Sequence, residues 1–116
     1  MRPVTERTSD GWRMRIDRQP DRTVMSVSGE IDLSNASRLT DWLAIIISEQ
    51  PAAVDIDLSR MTFMDSTGIR SFVAARHLCE EKSLPFRLVQ VQPNTRRLIE
   101  AVGLADYFNI DPATPA

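Results

Sequence analysis

A chain of 116 residues, 42% of them apolar, holds one compact domain with a modest core and leaves no room for a second. Its formal net charge of -2 supplies no broad basic field, which argues against direct nucleic-acid binding through phosphate neutralisation. The lone Cys79 excludes an internal disulfide and, with His77 as the single imidazole, a cysteine/histidine zinc site.

The lone cysteine suits a reducing cytoplasm. No apolar run approaches the ~20 residues of a membrane-spanning helix, and Met1 to Asp10 lacks the apolar middle of a signal peptide. The protein is therefore expected to be soluble and cytoplasmic, with no membrane partner. Residues 1–10 are polar and predicted to be a flexible segment, as is the tail 111–116, which leaves 11–110 as the domain. Arg2, Arg7, Arg13, Arg15, Arg18 and Arg22 crowd the N-terminal part, but Glu6, Asp10, Asp17 and Asp21 are interleaved with them. This pattern reads as an ordinary solvated surface rather than an anion-binding patch.

Trp12 to Ile16 alternates large apolar with charged residues, the period of a half-buried strand. Gln19 to Arg22 then supplies turn residues before Thr23 to Val27, and the two runs read as a hairpin. After Gly29-Glu30-Ile31-Asp32-Leu33, Ser34 or Asn35 is placed to open a helix. Ala36, Leu39, Trp42 or Leu43, Ile46 and Ile47 share one apolar face of that helix, and Pro51 ends it. Val54 to Leu58 alternates strictly, so Val54, Ile56 and Leu58 fall on one sheet face, with Asp55 and Asp57 on a wetter one.

A second helix is predicted from about Ser66 to Lys82, with Ile69, Phe72, Val73 and Cys79 inward; Arg76 falls within that apolar stripe without an evident partner. Phe86 to Val91 is a further strand and Pro93-Asn94-Thr95 opens a third helix, which Gly103 stops with Leu104 folding back on it. Tyr107 to Ile110 is a candidate short edge strand. The order β-β-α-β-α-β-α implies an α/β domain with a mixed sheet of four to five strands and helices packed on it.

The densest cluster of chemistry is Phe63-Met64-Asp65-Ser66-Thr67-Gly68-Ile69-Arg70, at the entry to the second helix. Amides of a first helical turn lack partners, so Asp65 or Ser66 is suited to cap them, and an acid there favours the positive end of the helix dipole. Gly68 fits less easily, because glycine inside a helix costs roughly 0.5 to 1 kcal/mol relative to alanine. Its presence suggests that another surface approaches the first turn.

Four segments, Gly29-Glu30-Ile31-Asp32, Val54 to Ser59, Phe63 to Ile69 and Arg96 to Leu104, resemble in order the signatures of the STAS domain, in particular bacterial anti-sigma factor antagonists. The likeness spans about residues 12 to 110. It implies a non-enzymatic module without a cofactor that binds an anti-sigma factor and so releases a sigma factor for transcription. It further implies that this partner is a serine kinase, that a separate serine phosphatase resets the switch, and that the phosphorylated residue is the first hydroxyl after the acid, Ser66. Thr67 is the second candidate acceptor, at a position usually structural in the family. Asp32 is implied as a neighbour of the serine, placed to bond and orient its hydroxyl, while a turn or capping acid before Leu33 is the equal alternative. The partner surface implied is Glu30, Asp32 and Ser34 with Asp65, Ser66, Thr67, Gly68, Ile69 and an exposed Arg70. A phosphoserine is tolerated at a helix start because free N–H groups and the dipole favour an anion.

Other readings remain. The same domain could act as an unphosphorylated scaffold or ligand-sensing module. An aspartyl-phosphate receiver would use Asp55 or Asp57, but the only lysine, Lys82, stands at the far end of the second helix. The same two acids lack a third metal ligand, so a solvated strand face fits them better. His77 and Cys79 are two apart and do not share a helix face, which argues against a nucleophile and base pair.

Overall fold

The computed structural model describes residues 5–110. Three helices cover one face of a six-stranded mixed sheet. The strands are β1 (Thr5–Ser9), β2 (Trp12–Arg18), β3 (Thr23–Ile31), β4 (Val54–Asp57), β5 (Met61–Met64) and β6 (Phe86–Val89). The helices are α1 (Ala36–Ser48), α2 (Ser66–Glu81) and α3 (Pro93–Ala101). Strand β2 pairs antiparallel with both β1 and β3, while β3, β4 and β6 are parallel and β5 pairs parallel with β3. This matches the mixed sheet and helix order expected, with two strands more than the reading of Trp12 to Val91 supplied.

One added strand is β1, so the expectation that residues 1–10 stay mobile is corrected at Thr5–Ser9. Arg7 sits on the helix-facing side there, its guanidinium 4.3 Å from the centre of the Trp42 ring, while Glu6 is exposed. The expectation for residues 111–116 lies outside the described residues. The other added strand is β5. Residues 58–61 turn through a bond from the Met61 N–H to the Leu58 carbonyl (3.2 Å), and the chain then resumes beside the far half of β3. Thus β3 pairs β4 along Thr23 to Ser26 and β5 along Gly29 to Ile31, with a register shift between Gly29 and Glu30.

The period-2 pattern determines which face is covered. Trp12, Met14, Ile16, Met25, Val27, Val54 and Ile56 point to the helices, where Leu39, Leu43, Ile47, Phe72 and Cys79 complete a single core. Burial of each large apolar side chain stabilises the fold by roughly 1.5–3 kcal/mol. The opposite face carries Arg13, Arg15, Ser26, Ser28, Asp57 and Arg87, and no helix among the described residues covers it. Asp55 departs from the solvated-face expectation: it is buried on this side, bonded to Arg22 (2.8 Å) and to Arg87 (2.9 and 3.1 Å). Burial pushes its carboxyl pKa up, but the two arginines outweigh that and hold it below the ordinary value.

Arg76, unpartnered in the sequence reading, donates from Nε to the Tyr107 carbonyl (3.0 Å) and lies over that ring. Helix α3 ends in a Schellman motif: Gly103 at φ +75° donates to Glu100 O (3.0 Å) and Leu104 to Ile99 O (3.1 Å). The candidate edge strand at Tyr107 to Ile110 does not form. Phe108 N donates to Leu104 O and Asn109 N to Asp106 O, so the segment coils into turns that drive Phe108 into the core. Asn109 at φ +50° is incompatible with an extended strand.

Candidate functional site

The parallel pairing of β3 with β5 brings the two suspected segments together. Glu30 lies opposite Phe63 and Ile31 opposite Met64, so the chain leaves both strands at the same end. There the Asp65 N–H donates to the Ile31 carbonyl (3.3 Å), tying the start of α2 to the end of β3.

Asp65 is the N-cap of α2, in an extended conformation. Its Oδ1 accepts from the Thr67 N–H at 2.9 Å and from the Thr67 hydroxyl. The Thr67 side chain contributes most to holding the Asp65 carboxyl below its ordinary pKa; burial opposes it, and the Thr67 and Gly68 amides assist. The two hydroxyls of the segment are therefore distinct. Thr67 is half-buried and committed to its cap, whereas Ser66, the first residue of the helix, is exposed and its hydroxyl makes no hydrogen bond among the described residues.

Gly68 has the close neighbour its position suggests, but that neighbour is internal. A Cβ on Gly68 would stand 2.3 Å from Met64 Cγ and 3.2 Å from Ile31 Cγ2, so the glycine lets α2 settle on the ends of β3 and β5. Gly68 and Ile69 are both buried, Ile69 with 5% of its surface exposed, and neither presents a side chain to solvent. Arg70 is exposed, as expected.

On the β3 side, Glu30, Leu33 and Ser34 are exposed and Asp32 half-buried. Asp32 Oδ1 accepts from the Ser34 N–H (2.9 Å) and hydroxyl (2.5 Å), an Asx turn, and makes no hydrogen bond to Ser66. The loop is held by a residue that sequence reasoning treated only as a capping candidate. Asn35, 4% exposed, accepts from the Asp32 N–H (2.9 Å) and donates to the carbonyls of Asp10 (2.6 Å) and Glu30 (2.9 Å). Its own carbonyl accepts from the Trp12 indole (3.1 Å). Gly11 makes room for it: at φ +96°, a Cβ there would lie 2.7 Å from Asn35 Nδ2.

Two apolar side chains flank this surface and went unnoticed in the sequence: Leu33, 83% exposed, and Phe63, 51% exposed. Their departure from the apolar-inward pattern was the available signal. Among the described residues no cluster of histidine, cysteine and acidic side chains could hold a metal ion, and no helix is long and apolar enough to cross a membrane.

The family model of the STAS domain matches residues 13–115. Among curated proteins, the anti-sigma-F factor antagonist RsfB of Mycobacterium tuberculosis is 33% identical over 87 residues, covering 75% of this chain and 70% of that protein. The anti-sigma-B factor antagonist of Listeria monocytogenes is 30% identical over 94 residues, covering 81% and 82%. Among solved structures, an anti-sigma factor antagonist from Mycobacterium paratuberculosis superimposes with a TM-score of 0.76 at 30% identity, covering 91% of this chain and 90% of that one.

Proposed function

We propose that this chain, which belongs to the STAS domain family, is an anti-sigma factor antagonist whose binding to an anti-sigma factor is switched by phosphorylation of Ser66. The observation that carries the reading is the contrast between the two neighbouring hydroxyls, one fixed by the cap and one exposed and unbonded. In this reading the domain is a substrate rather than an enzyme and works in the cytoplasm. The unmodified form occupies the anti-sigma factor and thereby frees a sigma factor for transcription.

The modifying enzyme is the anti-sigma factor itself, acting as a serine kinase with ATP and Mg²⁺. Ser66 Oγ forms a bond to the γ-phosphorus while the bond from that phosphorus to the bridging oxygen breaks; ADP leaves and a base of the kinase takes the hydroxyl proton. A separate serine phosphatase returns the hydroxyl by hydrolysis and releases inorganic phosphate. The added group carries about -1.5 to -2 charge and lies at a helix start whose free N–H groups and dipole favour an anion, so the fold tolerates it. What changes is the face a partner meets.

That face comprises Ser66, Arg70, Glu30, Asp32 and Ser34, with Leu33 and Phe63 as the apolar contacts, while Asp65, Thr67, Gly68 and Ile69 act from beneath by fixing the helix start. Apolar anchors in an interface contribute most of its affinity, and rim charges such as Arg70 little. Incubation with the cognate anti-sigma factor, ATP and Mg²⁺ is expected to add one phosphate by intact mass, absent in Ser66→Ala. Ser66→Asp is expected to keep the fold and bind the partner about 5- to 150-fold more weakly, the usual range of such couplings. No phosphate with a partner proven to bind, or wild-type affinity for Ser66→Asp, overturns the switch.

A further inference from the structure

The N-terminal arginines separate into two classes once folded. Arg7 lies over Trp42, Arg18 bonds Glu49 (2.7 and 2.9 Å) and Arg22 bonds Asp55. Arg13 and Arg15 form no ion pair or side-chain hydrogen bond among the described residues, and neither does Arg60. All three are exposed and line one groove of about 450 Å³ on the sheet face that no helix covers.

The register explains why they meet. Arg13 lies opposite Ser28 and Arg15 opposite Ser26, so the two arginines and two serines alternate on the same face. Arg60 joins them because its carbonyl accepts from the Gly29 N–H (3.1 Å), one residue beyond Ser28. Three arginines and two serines thus line one groove where the turn between β4 and β5 crosses the middle of β3. Arginine forks match the oxygens of a phosphate group, and such charge-assisted bonds are about twice as strong as neutral ones.

Two acids complete the groove: Glu6, opposite Arg15 on β1, and Asp57, opposite Ser26 on β4. They oppose a ligand that is anionic throughout and accept hydrogen bonds from one that also carries hydroxyl groups. The volume lies within the range usual for small-molecule sites.

We propose that this groove binds a phosphate monoester of a small polyhydroxyl compound, with Arg13, Arg15 and Arg60 on the phosphate and Glu6 and Asp57 on the hydroxyls. The site is built from β1 to β4 and the turn that follows β4, and does not depend on the role of Ser66. Titration of the isotope-labelled full chain with ribose 5-phosphate, inorganic phosphate, sulfate and ribose, followed by amide chemical shifts, tests it.

Saturable shifts confined to residues around Arg13, Ser26, Ser28 and Arg60 are expected with ribose 5-phosphate. Inorganic phosphate is expected to bind the same residues about 10-fold more weakly, and ribose alone not at all. Arg13→Gln and Arg60→Gln, verified as folded by the same spectra, should each weaken ribose 5-phosphate about 10-fold, and Ser66→Ala should leave it unchanged. Absence of saturable shifts, equal binding of sulfate and the ester, shifts spread over exposed arginines elsewhere, or unchanged affinity in both arginine variants overturns the proposal.

Discussion

Replacing Gly68 by alanine sets two opposed effects against each other at one atom. Gly68 has no positive φ, so alanine fits the backbone and gains helix propensity, at most about 1 kcal/mol and less at the third residue of a helix. Against this, the new Cβ would stand 2.3 Å from Met64 Cγ and 2.8 Å from its Sδ, distances no real contact sustains. Met64 is 7% exposed, with β3 behind it, so it cannot simply swing into solvent. Overpacking of this kind costs about 1–3 kcal/mol.

The net expectation is a loss of about 0.5–2 kcal/mol, read as a lower urea midpoint with unchanged slope. A second background isolates the cause. In Met64→Ala the clashing atoms are gone, and Gly68→Ala should there become neutral or mildly stabilising, a coupling energy well above the usual error of additivity. If Gly68→Ala stabilises the wild type, or destabilises both backgrounds equally, the contact with Met64 is not why glycine stands here.

Asn35→Ala leaves the Asp32 N–H and the Asp10 and Glu30 carbonyls without their partner, at about 1–3 kcal/mol for each group that water does not reach. Thermal unfolding should show a drop of several degrees, with affinity for the proposed anti-sigma partner also reduced as the Glu30 to Ser34 loop loosens. Removing Arg22 and Arg87 together strands the buried Asp55 charge and is expected to cost about 3–5 kcal/mol in urea unfolding, more than the two single losses combined. Asp55 and Asp65 both titrate below their unfolded values, so their stabilisation is complete above about pH 4 and is lost as acid carries the solution down through their folded pKa values. Unfolding midpoints across that range should fall less steeply in Asp55→Asn. Burial pushes the Cys79 thiol up to about 11, with Arg76 pulling weakly the other way, so iodoacetamide should modify Cys79 at neutral pH only on unfolding.

Apolar periodicity marked the hairpin, the three helices, β4 and β6, because each buries one regular face. It missed β1, whose TERTS sequence buries no large apolar side chain and holds its place by pairing with β2 and by the stacking of Arg7. It missed β5 because Met61 to Met64 is short and its pattern, buried only at the two ends, does not alternate. The capped start of α2 was legible in the order of the acid and hydroxyls, with Asp65 one of the two residues placed to supply the cap. The division of labour around it was not: the resemblance implies Asp32 as a neighbour of the serine, with a turn acid before Leu33 as the alternative, and the fold takes the alternative, giving Asp32 to Ser34 and the loop to Asn35. Those choices depend on the depth of a side chain, which spacing along the chain does not encode. The Arg13, Arg15 and Arg60 groove was hidden for a similar reason, since its third member lies far along the chain and its paired neighbours mask the unpaired ones.

Because Ser66 already belongs to the first turn of α2, held there by the Asp65 amide on Ile31, it cannot be drawn out as an extended substrate strand without dismantling that end of the domain. An enzyme acting on it must accept a conformational epitope assembled from two distant stretches of chain. Short synthetic fragments spanning the acid and the serine would lack that shape, so under the proposed switch recognition would rest on the folded relief around the hydroxyl rather than on the local string of letters.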